Sequence, residues 1–318
     1  MKIVKMMSVF LLRLELYYLI DNKLKVLFGD MGMLSVALIW GATNVVIRGA
    51  LSGITPFWFC AFRFITAFVA VAIIFGKRAV VLPRNKCLAG MLTGATFICG
   101  YLVATWGLLY TTAGNQSFIL SMSVVSVPLA VWALTKKFPG WHIMTAILLC
   151  IAGIGGLVLD DSMSANLGDI LSFAALFFLT AYILLVNKFV RDTDPCGLAC
   201  WQALGGMIVA IVAASLFEPF PSNITLSAVN AILYAGTIGF ALTLVIQTVA
   251  QKYTTATRAA IFLSLSGVFG SAIGVVFMGE PMTVRIFVSS ALIFMGVLSV
   301  EVIPALSYSL SNHNGDRD

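Results

Sequence analysis

The sequence is poor in charge. Only 10% of its 318 residues are Asp, Glu, Lys or Arg, while 60% are hydrophobic, against roughly a quarter charged in an average soluble domain. No charged residue occurs from Cys87 to Thr135, from Pro219 to Gln251 or from Ala259 to Gly279. So few charges cannot keep a surface of this size in water, which excludes an ordinary soluble domain. A bilayer core takes about 20 apolar residues per helix. The first run is long enough for two helices and a turn, and each of the others for one. None of the runs alternates apolar with polar residues, which argues against a β-barrel. Histidine is almost missing: His142 and His313 lack the neighbours a zinc site requires. The six cysteines lie mostly in apolar stretches, and Cys196 with Cys200 has no second pair or His beside it. They read as buried reduced thiols, and no metal or cofactor is expected.

What remains is a pattern of apolar segments. Helices are predicted at 31–50, 56–75, 86–106, 113–134, 141–159, 168–187, 195–217, 226–250, 256–278 and 284–303. Pro56, Pro139, Pro195, Pro219, Pro221 and Pro281 fall between or at the edges of these runs, where a missing N–H costs least. Pro128 lies inside the fourth helix, either as a kink at a cavity or as a packing feature. Residues 1–30 stand apart. An apolar run from Met6 to Ile20 is broken by Arg13 and Glu15 and followed by no small-residue cleavage site, a poor signal peptide. The segment reads as an amphipathic helix on the membrane surface, or as untranslated sequence before Met31 or Met33. Residues 304–318 form a cytoplasmic tail.

The net charge of +6 reads as membrane topology rather than as a nucleic-acid footprint. With the N-terminus in the cytoplasm, sixteen of the nineteen basic residues fall on inside segments, leaving Arg48, Arg63 and Arg285. The positive-inside rule thus favours ten helices with both ends cytoplasmic. The chain also repeats itself. Tyr110-Thr111-Thr112-Ala113 returns as Tyr253-Thr254-Thr255-Ala256, a shift of 143 that also pairs Leu120, Ser121, Ser123, Val125 and Gly153 with Leu263, Ser264, Ser266, Val268 and Gly296. Pro56 matches Pro195 at a shift of 139, so a small insertion separates the two frames. Five helices per repeat is an odd number, so the second half enters the membrane from the opposite side. The expected fold is an all-α membrane protein with ten transmembrane helices as two inverted five-helix repeats, 31–159 and 168–303. Such repeats let one sequence form inward-open and outward-open states around a midplane site.

The residues Trp40-Gly41, Pro56, Arg63-Phe64, Gly168-Asp169 and Met278-Gly279-Glu280-Pro281, with Gly153 and Gly296, resemble the drug/metabolite transporter superfamily, in its EamA-type branch. The likeness covers residues 31–303. It departs where the family often ends the fourth helix with Gly-Glu, since Lys136 and Lys137 stand there. The resemblance implies a central cavity lined mainly by helices 1, 3, 4, 6, 8 and 9. It also implies export or exchange of amino acids, related metabolites or drugs.

Polar residues within helices need partners or water. The candidate substrate-binding residues are Trp40 and Asn44, one turn apart on helix 1, Tyr101 on helix 3, and Gln116 and Ser121 on helix 4. Tyr182 on helix 6, Gln247 on helix 8 and Ser264 on helix 9 complete the set. Amides and hydroxyls can hold a polar metabolite without a buried charge, and rings can stack on a flat side chain or face a cation. For each Ser or Thr the plainer alternative is a bond to its own helix. Arg63 could hold an anionic group, but its position near a helix end favours snorkelling to the outer surface. Gly90 with Gly94, and Gly270 with Gly274, have the spacing of close helix contact within the bundle. No carboxylate lies near the middle of any predicted helix, which favours facilitated diffusion or exchange over proton coupling. No catalytic residues are expected: an enzyme would need a nucleophile with its base, or a metal cluster, at membrane depth. The expected partners are a small-molecule solute and membrane lipids, with no nucleic acid, in a monomer or homodimer. The expected location is the cell (plasma) membrane, multi-pass. The alternative function is a lipid or lipid-linked sugar flippase.

Overall fold

The structure, a computed structural model, describes residues 24–43, 54–107, 110, 119–120, 122–158, 167–278, 284 and 287–299. Among these residues there are helices and no strand. Six helices are long and apolar enough to cross a membrane: α1 (Leu24–Thr43), α2 (Pro56–Val80), α3 (Arg84–Gly107), α6 (Leu167–Phe189), α7 (Pro195–Phe217) and α8 (Leu226–Gln251). Between and after them lie α4 (Ser123–Thr135), α5 (Trp141–Val158), α9 (Ala256–Leu263, then Leu265–Met278 after a break at Ser264) and α10 (Phe287–Ser299).

Local chemistry starts these helices. Asp194 precedes Pro195 and accepts from the Gly197 N–H at 2.7 Å, so a cap and a proline together begin α7. Thr225 and Thr255 cap α8 and α9 in the same way, accepting from Ala228 and Arg258. At α2 the N-cap residue, Thr55, makes no side-chain cap bond. Instead the Glu218 carboxylate, carried just past the end of α7, accepts from the Phe57 and Trp58 N–H groups at 3.1 and 3.2 Å. An anion there satisfies two orphan donors and meets the positive end of the helix dipole. At the other end of the bundle Asp30 pairs with Arg258 at 2.5 Å and accepts from Thr254 at 2.7 Å, Arg78 with Asp194 at 3.5 Å and Lys86 with Asp192 at 3.4 Å. The starts of α1, α3, α7 and α9 therefore share one end with the finish of α2.

The two halves interlock. α2 lies along α7, and α3 lies along both α7 and α6. Glycine permits the closest approaches. A Cβ on Gly94 would overlap the Gln202 backbone of α7, and one on Gly236 would come within 2.9 Å of the Arg63 carbonyl of α2. Gly41 packs on Gly270, joining α1 to α9. Gly153 meets Ser289 and Ile293, while Gly296 meets Ala146 and Cys150, so α5 and α10 cross reciprocally. Gly90 and Gly94 thus serve packing within the bundle. Pro128 is buried within α4, five residues beyond Ser123 of the cavity wall.

The frame shift between the repeats has a structural location. Arg63 corresponds to Gln202 at a shift of 139, Gly94 to Gly236 at 142 and Phe97 to Phe240 at 143. The last added residue falls between Gly236 and Phe240, where α8 widens into a π-helical turn, Thr237–Leu242. A π-turn is how a helix absorbs one extra residue without ending. The earlier three residues are taken up by the α7–α8 connection, which runs from 218 to 225 where the α2–α3 connection spans only 81–83.

Candidate functional site

A cavity of about 220 Å³ lies among α1, α2, α3, α4, α6 and α9. Its wall holds Trp40, Arg63, Phe97 and Tyr101 from the first half and Leu179, Ile183 and Ser264 from the second, with hydroxyls from Ser123 and Ser266. Leu179 and Ser264 fall near the middle of α6 and α9, so the cavity sits at mid-depth.

The wall is built on an aromatic stack. Phe97 and Phe240, the repeat-related pair, lie with centroids 5.3 Å apart and planes 28° from parallel. Phe64 meets Phe240 at 4.2 Å and Tyr182 meets Phe97 at 4.8 Å. Trp40 stands 6.4 Å from Phe97 and donates its indole N–H to Thr243 Oγ1 at 3.1 Å, which fixes the ring against α8. Such stacks stiffen a wall while leaving a face to a ligand.

Arg63 does not snorkel. It is 4% exposed, turned inward between α3 and α8. Its Nε–H donates to the Ala235 carbonyl at 3.2 Å and its Nη1–H to the Tyr101 hydroxyl at 2.7 Å. The guanidinium carbon lies 5.1 Å from the Tyr101 ring centroid and 5.5 Å from that of Phe240, within reach of a cation–π attraction. The spacing of Phe59, Arg63 and Ala67 along one buried face of α2 is the signal that sequence reasoning passed over.

The predicted residues separate into three groups. Trp40, Tyr101 and Ser264 line the cavity, and Ser264 also donates to the Ile261 carbonyl of its own helix at 2.6 Å. Tyr182 and Gln247 lie behind the wall, both 1% exposed, with the tyrosine hydroxyl donating to Gln247 Oε1 at 3.3 Å. Asn44, Gln116 and Ser121 lie outside the described residues, as does Glu280.

From Gln247 a buried polar line continues toward the end where Asp30 and Arg258 pair. Gln251 follows one turn on, and Asn187 of α6 donates to the Gln251 and Thr254 carbonyls at 3.1 and 3.0 Å. On α7, Gln202 accepts from Thr248 at 3.1 Å. The Nε2 atoms of Gln202, Gln247 and Gln251 are buried without a hydrogen-bond partner among the described residues. Buried amides are ordinarily satisfied.

Comparison with known proteins agrees with this architecture. A relative from Archaeoglobus fulgidus, described as an uncharacterized transporter, is 31% identical over 281 residues, covering 87% of each chain. The uncharacterized transporter YoaV of Bacillus subtilis is 25% identical over 278 residues, 84% of this chain and 94% of its own. One crystal structure of a protein superposes with a TM-score of 0.75 over 86% of this chain and 96% of that one, at 13% identity, a likeness of fold alone. The EamA-like transporter family model matches twice, at residues 27–159 and 166–301. The chain is therefore a membrane transporter that belongs to the EamA-like transporter family, as the resemblance to the drug/metabolite transporter superfamily implied.

Proposed function

We propose that the chain is a secondary transporter that exports or exchanges small metabolites, amino acids or related compounds, by alternating access around the central cavity. In this reading ten helices span the plasma membrane as two inverted five-helix repeats, with both ends cytoplasmic. The exchange of contacts between halves supports it: Gly94 meets Gln202 as Gly236 meets Arg63, the partners being repeat-related. The clustering of Arg78, Lys86 and Arg258 at one end supports the orientation.

One observation carries the substrate scale. The cavity, at about 220 Å³, is smaller than the roughly 300–1,000 Å³ of sites that hold drug-sized ligands. Its rings and hydroxyls suit a small solute with one polar end. A lipid would need a groove open sideways between helices. The test is release of a mixed amino-acid and metabolite load from proteoliposomes containing the purified protein, read by mass spectrometry against empty liposomes. Selective loss of a few compounds is expected. No loss, with folded protein verified, would refute the reading and leave lipid substrates as the alternative.

A further inference from the structure

Among the described residues, Arg63 is a buried charge without a countercharge. No carboxylate among them lies within ion-pair distance of it or lines the cavity. A guanidinium carries five N–H donors, and only two of Arg63's are used among these residues, by Ala235 and Tyr101. Tyr101 accepts from Arg63, so the phenol proton is free to donate elsewhere. The repeat-related position in the second half holds Gln202, buried and neutral, so the charge belongs to one half only. An ionised group at membrane depth is costly unless something of opposite sign meets it.

We propose that Arg63, with the Tyr101 hydroxyl beside it, binds the carboxylate of the transported solute, and that the site takes carboxylate anions and zwitterions and rejects cations. This rests on the transport reading above and narrows it. The two groups offer a forked set of donors, the geometry that suits a planar carboxylate. The remainder of the solute then lies against Trp40 and Phe97. Among the described residues a zwitterion's ammonium finds ring faces and the Ser123, Ser264 and Ser266 hydroxyls but no carboxylate. A monoanion of the same shape should therefore bind at least as well as the zwitterion, and a monocation worst. Ring faces alone would favour cations, so the sign of the selectivity separates Arg63 from the aromatic wall.

The test uses the full-length protein in proteoliposomes and three probes sharing one carbon frame: leucine, its 2-oxo acid and leucinamide. The wild type should carry the oxo acid and leucine about tenfold or more faster than leucinamide, the scale expected when a charge-assisted pair is gained or lost. Arg63→Gln should raise KM for both carboxylates by about tenfold and bring the acid-to-amide ratio to within about threefold of unity, on the same scale. Tyr101→Phe, which keeps the charge and the ring, should raise KM for the carboxylates while leucinamide stays disfavoured, and it serves if Arg63→Gln does not fold. A merely structural arginine would slow all three probes alike and leave their ratio unchanged. Leucinamide carried as fast as the acid by the wild type, or an unaltered ratio in Arg63→Gln, overturns the anion site and leaves transport standing. Passage of none of the three by folded protein overturns both.

Discussion

Lys136 closes α4 in a left-handed conformation, φ 57° and ψ 14°, with its N–H donating to the Trp132 carbonyl. This is where the family resemblance leads one to expect glycine, and the backbone shows why: a helix ending in this cap favours a residue without Cβ. The lysine retains the conformation at a cost of about 1 kcal/mol. Lys136→Gly should stabilise the protein by about that amount, seen as a higher unfolding midpoint in detergent. A lowered midpoint would mean that the lysine charge at the helix end outweighs the strain. Trp40 answers to a different measurement. Trp40→Ala removes a ring of the wall and the bond to Thr243. It should raise KM several-fold while folded protein persists, and Trp40→Phe should recover part of the loss. Unchanged transport in both variants would remove Trp40 from the site. At this scale the sequence was only partly legible. Trp40, Tyr101 and Ser264, which line the cavity, stand out in the sequence because they are aromatic and hydroxyl groups inside apolar helices. Arg63 was misread because depth along a helix says how far a side chain can reach, not which way it faces.

Among elements, the charge-free runs and prolines located the helices well, since both follow directly from bilayer thickness and backbone hydrogen bonding. Their ends were less legible. The predicted 56–75 is observed as Pro56–Val80, because Lys77 and Arg78 in the last turn complement the helix dipole rather than stopping the helix. α1 likewise includes residues 24–30, which the predicted 31–50 leaves out. The π-turn of α8 left no compositional mark; only the comparison of the two frames locates it. Close packing makes a sharper claim. Gly94→Ala drives a methyl into the Gln202 backbone, whereas a methyl on Gly76 would meet nothing within 4 Å. Gly94→Ala should therefore yield little monodisperse protein, while Gly76→Ala should be neutral or stabilising by about 0.5–1 kcal/mol. Size-exclusion profiles and melting curves of the two, side by side, check this. Equal behaviour would mean that α3 and α7 can separate without penalty.

For the whole molecule, the reciprocal contacts of the halves bear on energy coupling. Asp30, the buried carboxylate of α1, is held at one end of the bundle by Arg258 and Thr254. It is thus occupied where a mid-membrane proton relay would need a free group. Uptake of a transported solute should accelerate when unlabelled solute is preloaded on the opposite side, and should change less than about twofold under an imposed pH gradient. Uptake that follows the proton gradient would instead make a carboxylate part of the cycle.

The single residue absorbed at Thr237–Leu242 has a kinetic consequence. It turns everything beyond Gly236 relative to the matching stretch of α3, and so brings Phe240 onto Phe97. The halves are consequently kin but not copies, and in the proposed alternating-access cycle the two empty forms need not rest at equal free energy. A solute equilibrating without an energy source must still have the same ratio of maximal rate to half-saturation from either face. The bias of the resting form therefore shows up as a matched pair of inequalities: the face with the lower half-saturation concentration is, by the same factor, the slower one.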